Sequence, residues 1–211
     1  MIAALLLAAA AAPIALDAEA AFAADAKRLG QWTAFRKYAD RDAVMFSPQA
    51  VWARDFLQDR KDPPRPITWR ASDSFVSCDG RTAVNTGPWF TAAGKLGGYF
   101  TTVWQRKGGG AWRWVYDGGI PTPVTRSTAK TPQVHRASCT PRAKGPPVAP
   151  PPPLTRKQAL TTPEDNGRGE SADKTLGWDW KVTPKGARTL RVFLWRNGRY
   201  AEVIHKVDPA P

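Results

Sequence analysis

Apolar residues recur at helical spacing from Asp17 to Leu29, where Leu16, Ala20, Ala23 and Ala24 mark a candidate stripe, and Gly30 breaks the run. Trp32, Phe35 and Tyr38 stand three residues apart and predict one face of a short second helix. Ala43 to Phe46 reads as a brief strand. Pro48 is placed to open a third helix, with Val51, Trp52, Phe56 and Leu57 as its stripe, and Pro63, Pro64 and Pro66 end it. From Ile67 the period changes to that of strands. Ile67–Cys78 runs into Asp79-Gly80, a two-residue hairpin signal, and Arg81–Phe90 returns. Tyr99–Arg106 and Ala111–Asp117 follow, set off by Gly94, Gly97 and Gly98 and then by Gly108 to Gly110. Three helices followed by a four-strand antiparallel meander predict an α+β fold, with the helices on one face of a curved sheet.

Beyond Gly119 the pattern lapses. Pro121 to Pro153 is rich in proline and basic residues, and Pro146–Pro153 in polyproline geometry makes a stiff spacer of about 25 Å. Thr161–Asp173 is polar and reads as loose chain. Leu176, Trp178, Trp180 and Val182 then alternate with small or polar residues, Pro184-Lys185-Gly186 turns, and Asn197-Gly198 is a strong hairpin signal. In that register Leu190, Val192, Leu194, Ala201 and Val203 share a face, and Trp195 stands opposite Tyr200 on the other. A three-strand meander is marginal alone, so it is expected to dock on the first domain. No internal repeat is evident. The expected division is a leader over 1–20, a helix-and-sheet domain over 21–120, a linker over 121–173 and a meander over 174–211.

Charge sharpens this division. The 211 residues carry a formal net charge of +13, and residues 121–160 alone hold seven basic residues and no acidic one. The basic character belongs to the linker, which argues against a folded nucleic-acid-binding face; that segment also lacks aromatics for stacking on single strands. Through 121–160 the chain has a means of holding an anionic envelope surface, the plainer alternative being a solvated spacer. Ile2–Leu16 is an uncharged apolar run too short to span a membrane, which fits the hydrophobic part of a secretory signal, although no Lys or Arg precedes Lys27. Ala18-Glu19-Ala20 and Ala10-Ala11-Ala12 both offer small residues for cleavage. A periplasmic or secreted location is expected, with an alanine-rich cytoplasmic helix as the alternative. The two cysteines, Cys78 and Cys139, fit export as a disulfide, against two separate buried thiols. They and two distant histidines make no metal-ligand cluster, and no cofactor motif is present.

The stretch Phe22–Phe46, with a helix, a small-residue break, a second helix and an Asp-rich turn into a strand, resembles the opening of the nuclear transport factor 2-like (SnoaL-like, cystatin-like cone) superfamily. Trp112-Arg-Trp-Val-Tyr-Asp-Gly118 is similar to the last cone strand of many members. The resemblance covers about residues 16–119. It implies a pocket between helices and sheet, and a sheet face that often serves homodimers.

Many such proteins are enzymes, and two of their arrangements bear on this chain. A dehydratase-type His–acid pair inside the cone has no counterpart, because His135 and His205 both fall outside it. An isomerase-type set of one Tyr and two carboxyls has raw material in Tyr38, Tyr99, Tyr116, Asp73 and Asp117, in no recognisable motif. Asp117, amid Trp112, Trp114 and Tyr116, is the candidate catalytic acid; the plainer reading is a strand-end Asp at the Asp117-Gly118 turn. Trp32, Tyr38, Trp69, Tyr99 and Trp114 are the candidate ligand-binding residues, against the alternative that they fill core or interface. The leading expectation is non-catalytic binding of a small apolar ligand or a protein partner. An acid–base isomerase or hydratase and an envelope-associated structural module are the alternatives.

Overall fold

The computed structural model of the protein describes residues 14–121, 131–140, 145–147 and 165–210. Its elements are α1 (Ala15–Leu29), α2 (Gln31–Tyr38), β1 (Ala39–Ser47), β2 (Gln49–Trp52), α3 (Ala53–Leu57), β3 (Thr68–Trp69), β4 (Asp73–Val76), β5 (Thr82–Phe90), β6 (Leu96–Gln105) and β7 (Arg113–Ile120). Then follow β8 (Gln133–Arg136), β9 (Asn166–Glu170), β10 (Leu176–Val182), β11 (Arg188–Arg196) and β12 (Arg199–Asp208). The protein is an α+β fold with two sheets. Eight strands form the first, in the order β2-β1-β7-β6-β5-β4-β8 with β3 beside β5, and β12-β11-β10-β9 form the second.

The helices meet the first sheet through an aromatic cluster centred on Phe22 of α1. Its ring lies 4.7 Å from Phe35, 4.8 Å from Trp69 and 5.9 Å from Trp104, all edge-on. The buried face of α1 is Ala15, Ala18, Glu19, Phe22, Asp25 and Ala26. That corrects the expected stripe, since Ala20 and Ala24 do not belong to it. Two acids, Glu19 and Asp25, sit on the buried face and so rotate the apparent apolar pattern. Ala15–Ala20 also belong to this helix, within the span assigned to a leader, whose residues 1–13 lie outside the described residues.

Asp62 begins α2 from a distance. Its carboxylate accepts the backbone N–H groups of Trp32 and Thr33 at 2.5 and 3.0 Å and the Thr33 hydroxyl at 2.6 Å. Those are amides a helix N-terminus leaves unpaired. Gly30 at the junction has φ +107°, and a Cβ there would meet the Asp62 carboxyl at 2.3 Å.

Three further expectations are corrected. The third helix over 48–57 is a strand, β2, followed by one turn of helix. β2 pairs with β1 through Val44↔Trp52 and Phe46↔Ala50, so Val51 and Trp52 obey a strand period. The Asp79-Gly80 turn holds four residues rather than two, because the Ser77 amide bonds the Thr82 carbonyl at 2.9 Å. The linker is not without structure either. β8 adds to β4 in parallel and β9 pairs with β10, so the second sheet has four strands. His135 therefore belongs to the edge of the first sheet. Residues 148–153 of the spacer and most of the basic segment lie outside the described residues.

The second sheet docks as expected. Leu176, Trp178, Trp180, Val182, Leu190, Val192 and Leu194 pack against Val44, Trp52, Val84, Val103 and Tyr116. The sheet face opposite the helices is thus covered within the chain, where the resemblance implied a dimer surface. Cys78 and Cys139 form a disulfide. Beside it the Ser138 amide bonds the Trp195 carbonyl at 2.7 Å, tying β11 to the first sheet's edge. Such a disulfide belongs to an oxidising compartment. None of the described helices is long and apolar enough to cross a membrane.

Candidate functional site

Between α2, the first sheet and the free end of the second sheet lies a cavity of about 400 Å³. Its walls include Trp32, Phe35, Phe46, Trp69, Trp89 and Phe100. α2 supplies the first two rings, and β1, β3, β5 and β6 supply one each. Gly118 and Gly119 of β7 keep one wall low; a Cβ at Gly119 would stand 3.5 Å from the Trp89 indole nitrogen.

Asp117 and Asp208 are the acids of the lining among the described residues. Asp117 lies within β7, paired with Thr102 of β6, and its carboxylate accepts the Thr102 hydroxyl at 2.7 Å. Burial raises its pKa to about 6, against the lowering influence of Thr102, Arg188 and Lys206. At the mouth, Arg188 of β11 pairs with Asp208 of β12 at 3.0 Å, donates to the Gly119 carbonyl at 2.9 Å and lies over the Phe46 ring. Pro209 and Ala210 complete the rim.

Behind the Trp69 wall sits a further acid. Glu19 is 2% exposed and accepts the indole N–H of Trp69 at 2.8 Å, that of Trp104 at 2.7 Å and the Asn85 amide at 3.2 Å. Burial raises its pKa to about 7 against those donors, and the nearby charge of Asp117 adds to the rise. Trp69 thus joins the surroundings of Asp117 and Glu19: its ring lines the cavity and its N–H is spent on Glu19.

Of the sequence candidates, Asp117, Trp32 and Trp69 line the cavity. Tyr38 points elsewhere, its hydroxyl donating to Asp25 at 3.1 Å. Tyr99 is 2% exposed, and Trp114 is fully buried with its ring 6.2 Å from Phe35; neither lines the cavity. Sequence reasoning missed Glu19, Phe100, Arg188 and Asp208. Glu19 had a signal: it stands three residues before Phe22 and four after Ala15 on one helix face. Arg188 and Asp208 had none, since nothing local says that the second sheet would reach the cavity.

What fold and site define is an α+β protein with an aromatic-walled cavity lined also by the acids Asp117 and Asp208. The chain matches no family model, and the curated proteins include no significant match to it.

Proposed function

We propose that the cavity binds a small apolar ligand, and that residues 16–119 are a cone of the nuclear transport factor 2-like kind in an exported protein. The observation that carries the binding reading is the cavity wall: six aromatic rings around about 400 Å³, a volume in the range of small-molecule sites. A helix pair and an aromatic core on one face of the sheet support the cone, and the disulfide supports a periplasmic or secreted setting. The test is fluorescence titration with the neutral apolar probe N-phenyl-1-naphthylamine, whose emission rises on entering an apolar site. Saturable enhancement is expected, and Ile67→Trp, which fills the cavity from its lining, abolishes it without lowering the melting temperature. A wild-type protein that gives no saturable signal sinks the reading.

One observation favours a second reading, acid–base catalysis on a small hydrophobic substrate. Asp117 exchanges its proton near pH 6 on a cavity wall, within the electrostatic reach of a second buried carboxyl. Under that reading Asp117→Asn abolishes turnover and leaves folding intact; a folded variant of full activity ends it.

A further inference from the structure

The cavity is more particular than its size suggests. Among the described residues the charged side chains in its lining are Asp117, Arg188 and Asp208, two acids and one base. Arg188 and Asp208 are bonded to one another at the mouth, whereas Asp117 makes no ion pair among the described residues and feels Arg188 and Lys206 only at longer range. The rings of Trp32, Trp69, Trp89, Phe35, Phe46 and Phe100 line the same cavity. A ring of aromatic π-systems with one carboxylate is the chemistry that attracts an organic cation: the rings stabilise diffuse positive charge, and the acid supplies the counter-charge.

We infer that the ligand is a hydrophobic organic cation, a quaternary or protonated amine on an apolar body, whose charge sits against Asp117 within the aromatic wall. This rests on the proposed binding reading and narrows it. Charges of both signs surround Asp117, and the two cations, Arg188 and Lys206, are each fixed by hydrogen bonds elsewhere. Glu19 on α1 lies behind Trp69 and is acidic too. Lys206 on β12 donates its protons to the Thr86 and Thr101 hydroxyls and the Phe100 carbonyl, so it is held on strands β5 and β6. Tyr116 on β7 belongs to the core between the sheets. Entry of a cation offsets the burial that now holds the Asp117 proton on to about pH 6. Affinity therefore grows as pH rises through that region and levels off above it.

The test uses two ligands of one shape, phenyltrimethylammonium and its neutral isostere tert-butylbenzene, each competing with N-phenyl-1-naphthylamine on the full chain. At pH 8 the cation is expected to bind about tenfold more tightly than the isostere. By pH 5 the ratio falls toward one, the affinity for tert-butylbenzene staying constant. Asp117→Asn removes the preference at every pH, read as the ratio of the two competitors' affinities for that same variant. Equal affinities of the isosteres at pH 8, or a preference that is independent of pH, overturn the inference even if the variant does not fold. If the naphthylamine itself fails to bind wild-type protein, the parent reading is what has failed.

Discussion

Glu19 of α1 accepts the indole N–H of Trp104 of β6 at 2.7 Å, joining two side chains that are 2% and 0% exposed. The bond pins the first helix to the middle of the first sheet, and Trp69 and Asn85 complete the carboxylate's surroundings. A buried acid is a poor source of stability but a strong constraint, since it leaves one helix rotation that satisfies both indoles.

Glu19 makes stability depend on pH. Its folded pKa, about 7, lies above the ordinary 4.5, so the folded chain holds its proton over an interval in which the unfolded chain has lost it. Stability then falls as pH rises from about 4.5 to 7, by on the order of 3 kcal/mol, and stays low above. Asp117 adds a change of the same sign, from 3.8 to about 6. Urea midpoints measured between about pH 5 and 8 should decline, and Glu19→Gln should flatten most of that slope. A midpoint that climbs over this interval contradicts the assignment.

Reduction of Cys78–Cys139 frees residues 61 apart in sequence. The chain-entropy estimate for such a loop is roughly 4 kcal/mol. The double variant Cys78→Ala, Cys139→Ala should lose about that much in denaturant unfolding, and added reductant should then have no further effect on it. Wild-type stability unmoved by reductant would show the bridge to be inconsequential.

Lys206 is 5% exposed and reaches across from the second sheet, where the Phe100 carbonyl accepts its ammonium at 3.0 Å. Lys206→Ala leaves those acceptors without a donor and opens a space, and is expected to cost about 3 kcal/mol. Lys206→Met keeps the stem and should recover part of the loss. Thermal melts of both variants decide it; an alanine variant as stable as wild type removes the ammonium from any structural role.

Gly169 of β9 lies under the Trp178 ring, and a Cβ there would approach the ring to 2.2 Å. Trp178 is 5% exposed and packed into the core between the sheets, so its ring cannot swing aside freely. Gly169→Val should therefore destabilise by about 1–3 kcal/mol through overpacking. Gly110→Ala, whose nearest new contact is the Lys107 carbonyl at 3.3 Å, should change stability by less than about 0.5 kcal/mol. Equal effects at the two sites would refute the packing argument.

How much of this was legible in the chain depended on how local the cause was. Asn197-Gly198 is a two-residue turn, with Arg196 paired to Arg199 and Trp195 to Tyr200 as the alternation requires. Leu176, Trp178, Trp180 and Val182 all join the core between the two sheets. In each case the turn or strand period is written in consecutive residues. The stretch at Val51 and Trp52 was not legible, because four residues beside a proline satisfy a helical stripe and a strand period equally well. Its pairing with β1 broke the tie.

Consecutive residues were sufficient for the α+β class, the strands from β4 to β7, the hairpin of the second sheet and the prospect of a Cys78–Cys139 bridge. Long-range contact settled the rest. β8 and β9 are strands because β4 and β10 offered them an edge, since Gln133–Arg136 and Asn166–Glu170 have too little apolar pattern to declare themselves. The cavity depends on three distant stretches meeting: Trp32 from α2, Asp117 from β7, and Arg188 with Asp208 from the second sheet. Burial, and hence the raised pKa of Asp117 and Glu19, is a property of that meeting, as the desolvation that shifts a carboxyl comes from atoms remote in sequence.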